Sequence, residues 1–152
     1  GIMDLSVPVK KKKNNFCYTK DIEIDYSFKW YKIHLNAIKS AYGKSPYFEY
    51  VYPEIERILN FKHKYLLSLN DVIINWIIEF TDLKNNIEYS KTYNKEITGI
   101  EDFRNYFYPT YNINADIFKK YIQVFSDRFE FIENLSIIDL LMNEGNNSID
   151  YL

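Results

Sequence analysis

Glycine is scarce in this chain: four in 152 residues, with none clustered. A phosphate-cradling loop or a dinucleotide-binding turn needs several closely spaced glycines, so both are excluded. The single cysteine, Cys17, cannot form an intramolecular disulfide. It lies between a polar stretch and a β-patterned one, unlike an activated thiolate at a helix start. No apolar run approaches the roughly 18 residues that a membrane span needs, and the opening residues lack the plan of a signal peptide. The formal charge of -2 gives no general attraction for nucleic acid or an anionic membrane. No His, Cys or acidic spacing fits a zinc site, so neither a metal nor any other cofactor is expected.

What is abundant is aromatic: 15 Tyr and 11 Phe. Asn, Ile and Lys are also plentiful, and all five share A/T-rich codons, so the richness reflects genome composition before ligand stacking. With 47% hydrophobic residues, a chain of this length supports one domain over 1–152. The expected compartment is the cytoplasm.

"LSVPV" (Leu5 to Val9) is a short β-branched run, and "YTKDIEIDY" (Tyr18 to Tyr26) alternates Ile22, Ile24 and Tyr26 against acids, the period of a half-buried strand. "KKKKNN" (Lys10 to Asn15) joins them. From Phe28 to Tyr42 the period becomes helical, placing Trp30, His34, Ile38 and Tyr42 on one face, with Gly43 as a stop. Ser45 before Pro46 reads as an N-cap opening a second helix, interrupted at Pro53. Lys64 to Phe80 is the strongest helix, with Asn70 on its apolar stripe. "NIEYSKTY" (Asn86 to Tyr93) reads as an edge strand, "IEDFRNYF" (Ile100 to Phe107) as a short helix and "YPTYNINA" (Tyr108 to Ala115) as loop. "DIFKKYIQVFSDRF" (Asp116 to Phe129) fits helix or strand. Ser136 to Asn143 is helical, with Ser136 and Asp139 at capping-box spacing, Gly145 as its stop, and Tyr151 and Leu152 anchoring the tail. The expected fold class is mixed α/β or α+β, mostly helical with a small β-sheet made by the first two strands.

Four constellations carry chemistry. Ser136, Asp139 and Asn143 form a polar stripe between apolar walls; it lines a pocket or simply starts the helix. His34 on an apolar face is a general base or a core histidine. Lys10 and Lys11, with Lys12 and Lys13, hold phosphate or form a solvated loop. Asn70 contacts substrate or satisfies a backbone group. His63 reads as exposed and without a partner. Residues 34, 70 and 139 are expected to converge on one cleft.

"LSVPVKK" (Leu5 to Lys11), "HLNAIKSAYGKSPYFEY" (His34 to Tyr50), "KYLLSLN" (Lys64 to Asn70) and "FIENLSIIDLLMNEG" (Phe131 to Gly145) together resemble the WbqC-like protein family of bacteria. Family members tend to carry Gly-Phe and Gly-Pro around the last stretch, where this chain has Glu130 before Phe131 and Asn146 after Gly145. They also begin with "YFPP"-like and "YxKQxYRNR"-like motifs ahead of "LSVPV", so the chain is expected to lack the family's N-terminal segment. The resemblance implies surface polysaccharide (O-antigen) biosynthesis, with acyl or aminoacyl (glycine) transfer to a sugar; a non-catalytic binding or scaffolding module is the alternative. It carries His34 and Asp139 over as catalytic candidates and Tyr42, Ser45, Asn70, Ser136 and Asn143 as substrate contacts. The implied partners are a sugar or nucleotide sugar and a second copy of the chain.

Overall fold

The computed structural model describes residues 4–11, 17–85, 87–90, 92–104 and 118–152. Their regular structure is four α-helices: α1 Trp30–Tyr42, α2 Phe48–Asn60, α3 Leu66–Phe80 and α4 Ile137–Glu144. Short 3-10 turns cover Thr19–Asp21 and Gly145–Tyr151.

Each helix buries the stripe that its spacing sets. On α1, Trp30, Tyr31, His34, Leu35 and Ile38 recur at the helical period and face inward. On α2 the buried residues are Val51, Ile55, Ile58 and Leu59. On α3 they are Leu69 and Trp76, and on α4 Leu140, Leu141 and Met142. One apolar cluster joins Ile24 to residues of all four helices. α2 packs against α1, α3 and α4. The Tyr47 amide donates to the Met142 carbonyl at 3.0 Å, fastening α4 to the α1–α2 connection.

The expected sheet is absent: among the described residues there are only two isolated antiparallel bridges, Val9 with Ile24 and Glu23 with Tyr65. The alternating run from Tyr18 begins with the 3-10 turn Thr19–Asp21, which leaves only 22–25 extended. Its other neighbour turns helical at Leu66, directly after bridging. Pairing therefore stops after one step on either side. The "NIEYSKTY" strand is also absent over its described residues; the Tyr89 hydroxyl instead donates to Asp71 on α3 at 2.5 Å. Residues 100–104 are not helical, and the rest of that segment and "YPTYNINA" lie outside the described residues. Residues 118–129 are neither helix nor strand; turns cover 124–128.

Ser45 does not cap α2. Its hydroxyl donates to the Tyr42 carbonyl at 2.5 Å, closing the end of α1, and α2 opens at Phe48. Pro53 lies inside an unbroken α2 on its exposed side. The carbonyl of Glu49, which loses its amide partner there, belongs to an exposed residue that water can reach. Ser136 does cap α4, accepting from the Ile138 amide at 3.3 Å. Tyr151 is half-buried, but Leu152 is exposed and anchors nothing.

Gly145 ends α4 with φ 56° and ψ -129°, a region that only glycine occupies without strain. A Cβ there would stand 2.3 Å from the Tyr47 ring, whereas one at Gly99 (φ 86°) meets nothing within 4 Å. Gly145→Ala should therefore destabilise by about 3 kcal/mol, combining backbone strain with overpacking, and Gly99→Ala by only about 1 kcal/mol. Urea unfolding of the two variants checks this; equal losses would refute the close packing of Tyr47 on Gly145.

Candidate functional site

Two polar places stand out, one open and one closed. The open one is a cleft of about 390 Å³ lined by Lys10, Glu23, Ile24, Asp25, Tyr26, Ser27, Lys62 and Lys64. Its walls are the bridged extended segments and the turn before α3. The Lys10 amide donates to the Glu23 carbonyl, the Asp25 amide to Pro8, and the Ile24 amide to Lys64, all at 2.9–3.0 Å. The Tyr26 hydroxyl donates to the His63 carbonyl at 3.1 Å and ties floor to wall. Burial raises the pKa of that hydroxyl, so it stays a donor.

Charge in the cleft is mixed. Glu23 meets Lys10 at 2.9 Å and Lys64 at 3.8 Å. Lys64 also lies 5.0 Å from the Tyr65 ring centre; contact with Tyr65 and then the charge of Glu23 raise its pKa. Asp25 accepts the Ser27 amide at 2.8 Å, which lowers its pKa. Exposed ion pairs of this kind contribute about 0–1 kcal/mol, so an incoming anion can displace Glu23 from a lysine at little cost.

The closed place surrounds Asp139, which is 3% exposed. Tyr121 donates to its carboxylate at 2.8 Å, and the Tyr42 hydroxyl approaches the same group. Burial raises the Asp139 pKa, opposed by these hydroxyls. Both tyrosine pKa values are pushed far up, chiefly by burial. Tyr121 stands edge-on to Phe131 and Tyr151. Gln123 clasps the Ile132 backbone with both ends of its amide, at 2.8 and 2.9 Å. A buried carboxylate with a raised pKa can accept a proton. It also fastens residues 121–123 to α1 and α4.

The other candidates distribute as follows. His34 is buried edge-on to Trp30 at 5.0 Å, with the Ser6 backbone as partner; burial lowers its pKa. Eight residues separate it from Tyr42, about 12 Å along α1, so His34 and Asp139 are not brought together. Asn70 is exposed on α3 and joins neither place. Ser136 is spent on capping, and Asn143 donates to the Asp139 backbone carbonyl at 2.7 Å. Ser45 is buried beside Tyr42. Lys10 lines the cleft, whereas Lys11 is exposed outside its lining; Lys12 and Lys13 lie outside the described residues.

His63 is buried rather than exposed: its ring lies edge-on to Phe61 at 4.7 Å, and burial lowers its pKa against the pull of the Ile58 backbone. Lys62, Lys64 and Tyr26 were not among the sequence candidates. The alternation in "FKHKY", which turns His63 in and its flanking lysines out, was the available signal. Tyr121 and Gln123 carried none, since nothing local to them points to partners 18 and 9 residues on. Among the described residues no group of three or more His, Cys, Asp or Glu could hold a metal ion, and no helix is long and apolar enough to cross a membrane.

These features define a helical protein with a mixed-charge surface cleft and a buried carboxylate–tyrosine cluster. The sequence matches the WbqC-like protein family over residues 1–105, and the chain belongs to that family. No curated protein and no solved structure matches it. The cleft lies wholly within the matched residues; Asp139 and Tyr121 lie beyond them.

A Tyr hydroxyl on a carboxylate stabilises its charged form, by about 1.5–3 kcal/mol. Because the folded pKa of Asp139 exceeds the unfolded value of about 3.9, the folded state holds the extra proton between the two values, and stability falls as pH rises through that window. Tyr121→Phe lifts the folded value further and extends the window. The variant should lose more stability at pH 8 than at pH 4, measured by thermal melts across pH; a loss independent of pH would mean that Asp139 is not charged when buried.

Proposed function

We infer that this WbqC-family protein works in bacterial surface polysaccharide (O-antigen) assembly, in the cytoplasm, by holding the phosphate end of a nucleotide-linked sugar. The observation that carries this reading is the convergence of Lys10, Lys62 and Lys64, from two distant segments, on one cleft with Ile24 and Tyr26 among its lining. Ammonium groups hold phosphate as mobile point charges, and the half-buried Tyr26 ring suits a sugar or base face. The volume, about 390 Å³, is in the range of small-molecule sites. Glu23 and Asp25 moderate the positive field, favouring a ligand that also offers hydroxyl donors over a simple polyanion.

A second reading, acyl or aminoacyl (glycine) transfer to the sugar with His34 or Asp139 as general base, draws on the raised pKa of Asp139. Against it, Trp30 at the cleft end of α1 and Tyr42 at the Asp139 end are twelve residues apart, about 18 Å along the helix. That span separates the cleft from the carboxylate, so the binding reading is preferred.

Isothermal titration with UDP-glucose tests both. Lys62→Glu/Lys64→Glu should weaken binding at least roughly ten-fold, with the thermal midpoint little changed because both side chains are exposed. Asp139→Asn should leave affinity within about two-fold while the protein remains folded. Wild-type protein that does not bind, or a double variant that binds normally, would overturn the assignment. Transfer activity lost in folded Asp139→Asn would favour the second reading.

A further inference from the structure

We propose that the extended segment Leu5–Lys11 pairs with the same segment of a second copy of this chain, antiparallel, with Pro8 on the two-fold axis. The inference is independent of the ligand reading above. Along this segment each alternate residue has an engaged backbone group: the Ser6 backbone partners His34, the Pro8 carbonyl accepts from Asp25, and the Lys10 amide donates to Glu23. Because backbone groups alternate sides along an extended chain, those of Val7 and Val9 face away. Neither residue's amide or carbonyl has a hydrogen-bond partner among the described residues.

Pro8 often guards such an edge by removing a donor. Here its missing N–H falls on the inner side, so the outer row of Val7 and Val9 is complete. Only one class of register lets two such rows meet without wasting a donor, and the two-fold arrangement provides it. Val7 of one copy exchanges both hydrogen bonds with Val9 of the other, and the two Pro8 residues oppose each other at a position where no N–H is required. The same register sets Lys10 against Ser6 and Lys11 against Leu5, so no lysine faces a lysine. Val9 shares the face of its bridge partner Ile24 yet is 42% exposed, and Leu5 is 37% exposed. A second strand would cover both, extending the apolar face by Val7 and Val9 of the second copy.

The test is sedimentation equilibrium over a dilution series, with Val9→Pro as the variant. Proline at position 9 removes an outward donor and leaves the inward bonds of Pro8 and Lys10 in place. It should weaken self-association roughly ten-fold or more, with an unchanged circular dichroism spectrum. Pro8→Cys, in a Cys17→Ser background, gives an independent reading. Residues opposed at a non-hydrogen-bonded position have Cα atoms about 4.5 Å apart, within disulfide reach. Pro8→Cys should therefore oxidise to a covalent dimer, while Leu5→Cys, which faces Lys11, should not. A chain that stays monomeric at every concentration, or a dimer that ignores Val9→Pro and cross-links equally at both positions, would overturn the proposal. Should Val9→Pro fail to fold, the cross-linking pair decides.

Discussion

Ile24 is the point through which the two distant parts of the N-terminal half are joined. It is 2% exposed, its amide donates to Lys64, and it stands opposite Val9. Its side chain belongs to the same apolar cluster as α1 and α2. One buried residue therefore fixes the Leu5–Lys11 segment on one side and the entrance to α3 on the other. A buried amide left unpaired would cost about 1–3 kcal/mol, which holds Lys64 to Ile24, while the Lys10 and Asp25 amides on either side of the Val9–Ile24 bridge hold the other segment. The cleft follows from that constraint: with three backbone segments held edge to edge, the flanking lysines and acids have only the solvent side left to occupy.

α1 acts as a spacer between two environments of opposite character. At its start, Trp30 packs against Tyr26 at 5.7 Å, and the cleft beyond is open, with charges of both signs. At its end, Tyr42 helps to close a pocket around one buried carboxylate that Tyr121 also contacts. An open set of exposed ammonium groups can exchange partners quickly, which suits reversible capture of an anion. A buried carboxylate held by two hydroxyls exchanges little and instead orders the chain around it. Asp139 therefore bridges the α1 terminus, α4 and residues 121–123, a role consistent with its burial whatever chemistry is assigned to it.

Local periodicity made much of the helical frame readable. The stripes on α1, α3 and α4 lie within a few residues of where spacing puts them, and Ser136 caps as its position implies. What escaped are features decided by contacts between segments. Alternation at 18–26 signals extended backbone but not whether partners run alongside long enough to make a sheet. A 3-10 turn and the onset of α3 limit each pairing to a single bridge. Ser45 is a plausible cap by type, yet its hydroxyl found the nearer Tyr42 carbonyl. Asn70 falls on the apolar stripe but is exposed, because the apolar face of α3 is wide and its sequence does not say which part is covered. Asp139 was legible as unusual. Its partner Tyr121 was not, because a hydroxyl joined across 18 residues leaves no local spacing to detect.

Protonation acts in opposite directions at the two ends of α1. His34 and His63 have folded pKa values lowered by burial. Their contribution to stability is therefore present above the unfolded value of about 6.5 and is lost as pH falls through the lowered values. Asp139 has a raised value, so its contribution is present below about 3.9 and is lost as pH rises. Between these limits acidification adds charge behind the cleft and removes it from the Asp139 pocket. The cleft end is consequently where acid strains the fold: the backbone of Ser6, in the extended segment, partners His34, and the His63 carbonyl receives the Tyr26 hydroxyl. The histidines that hold the cleft's framework are thus also its points of acid sensitivity, while the buried carboxylate loses its electrostatic cost under the same conditions.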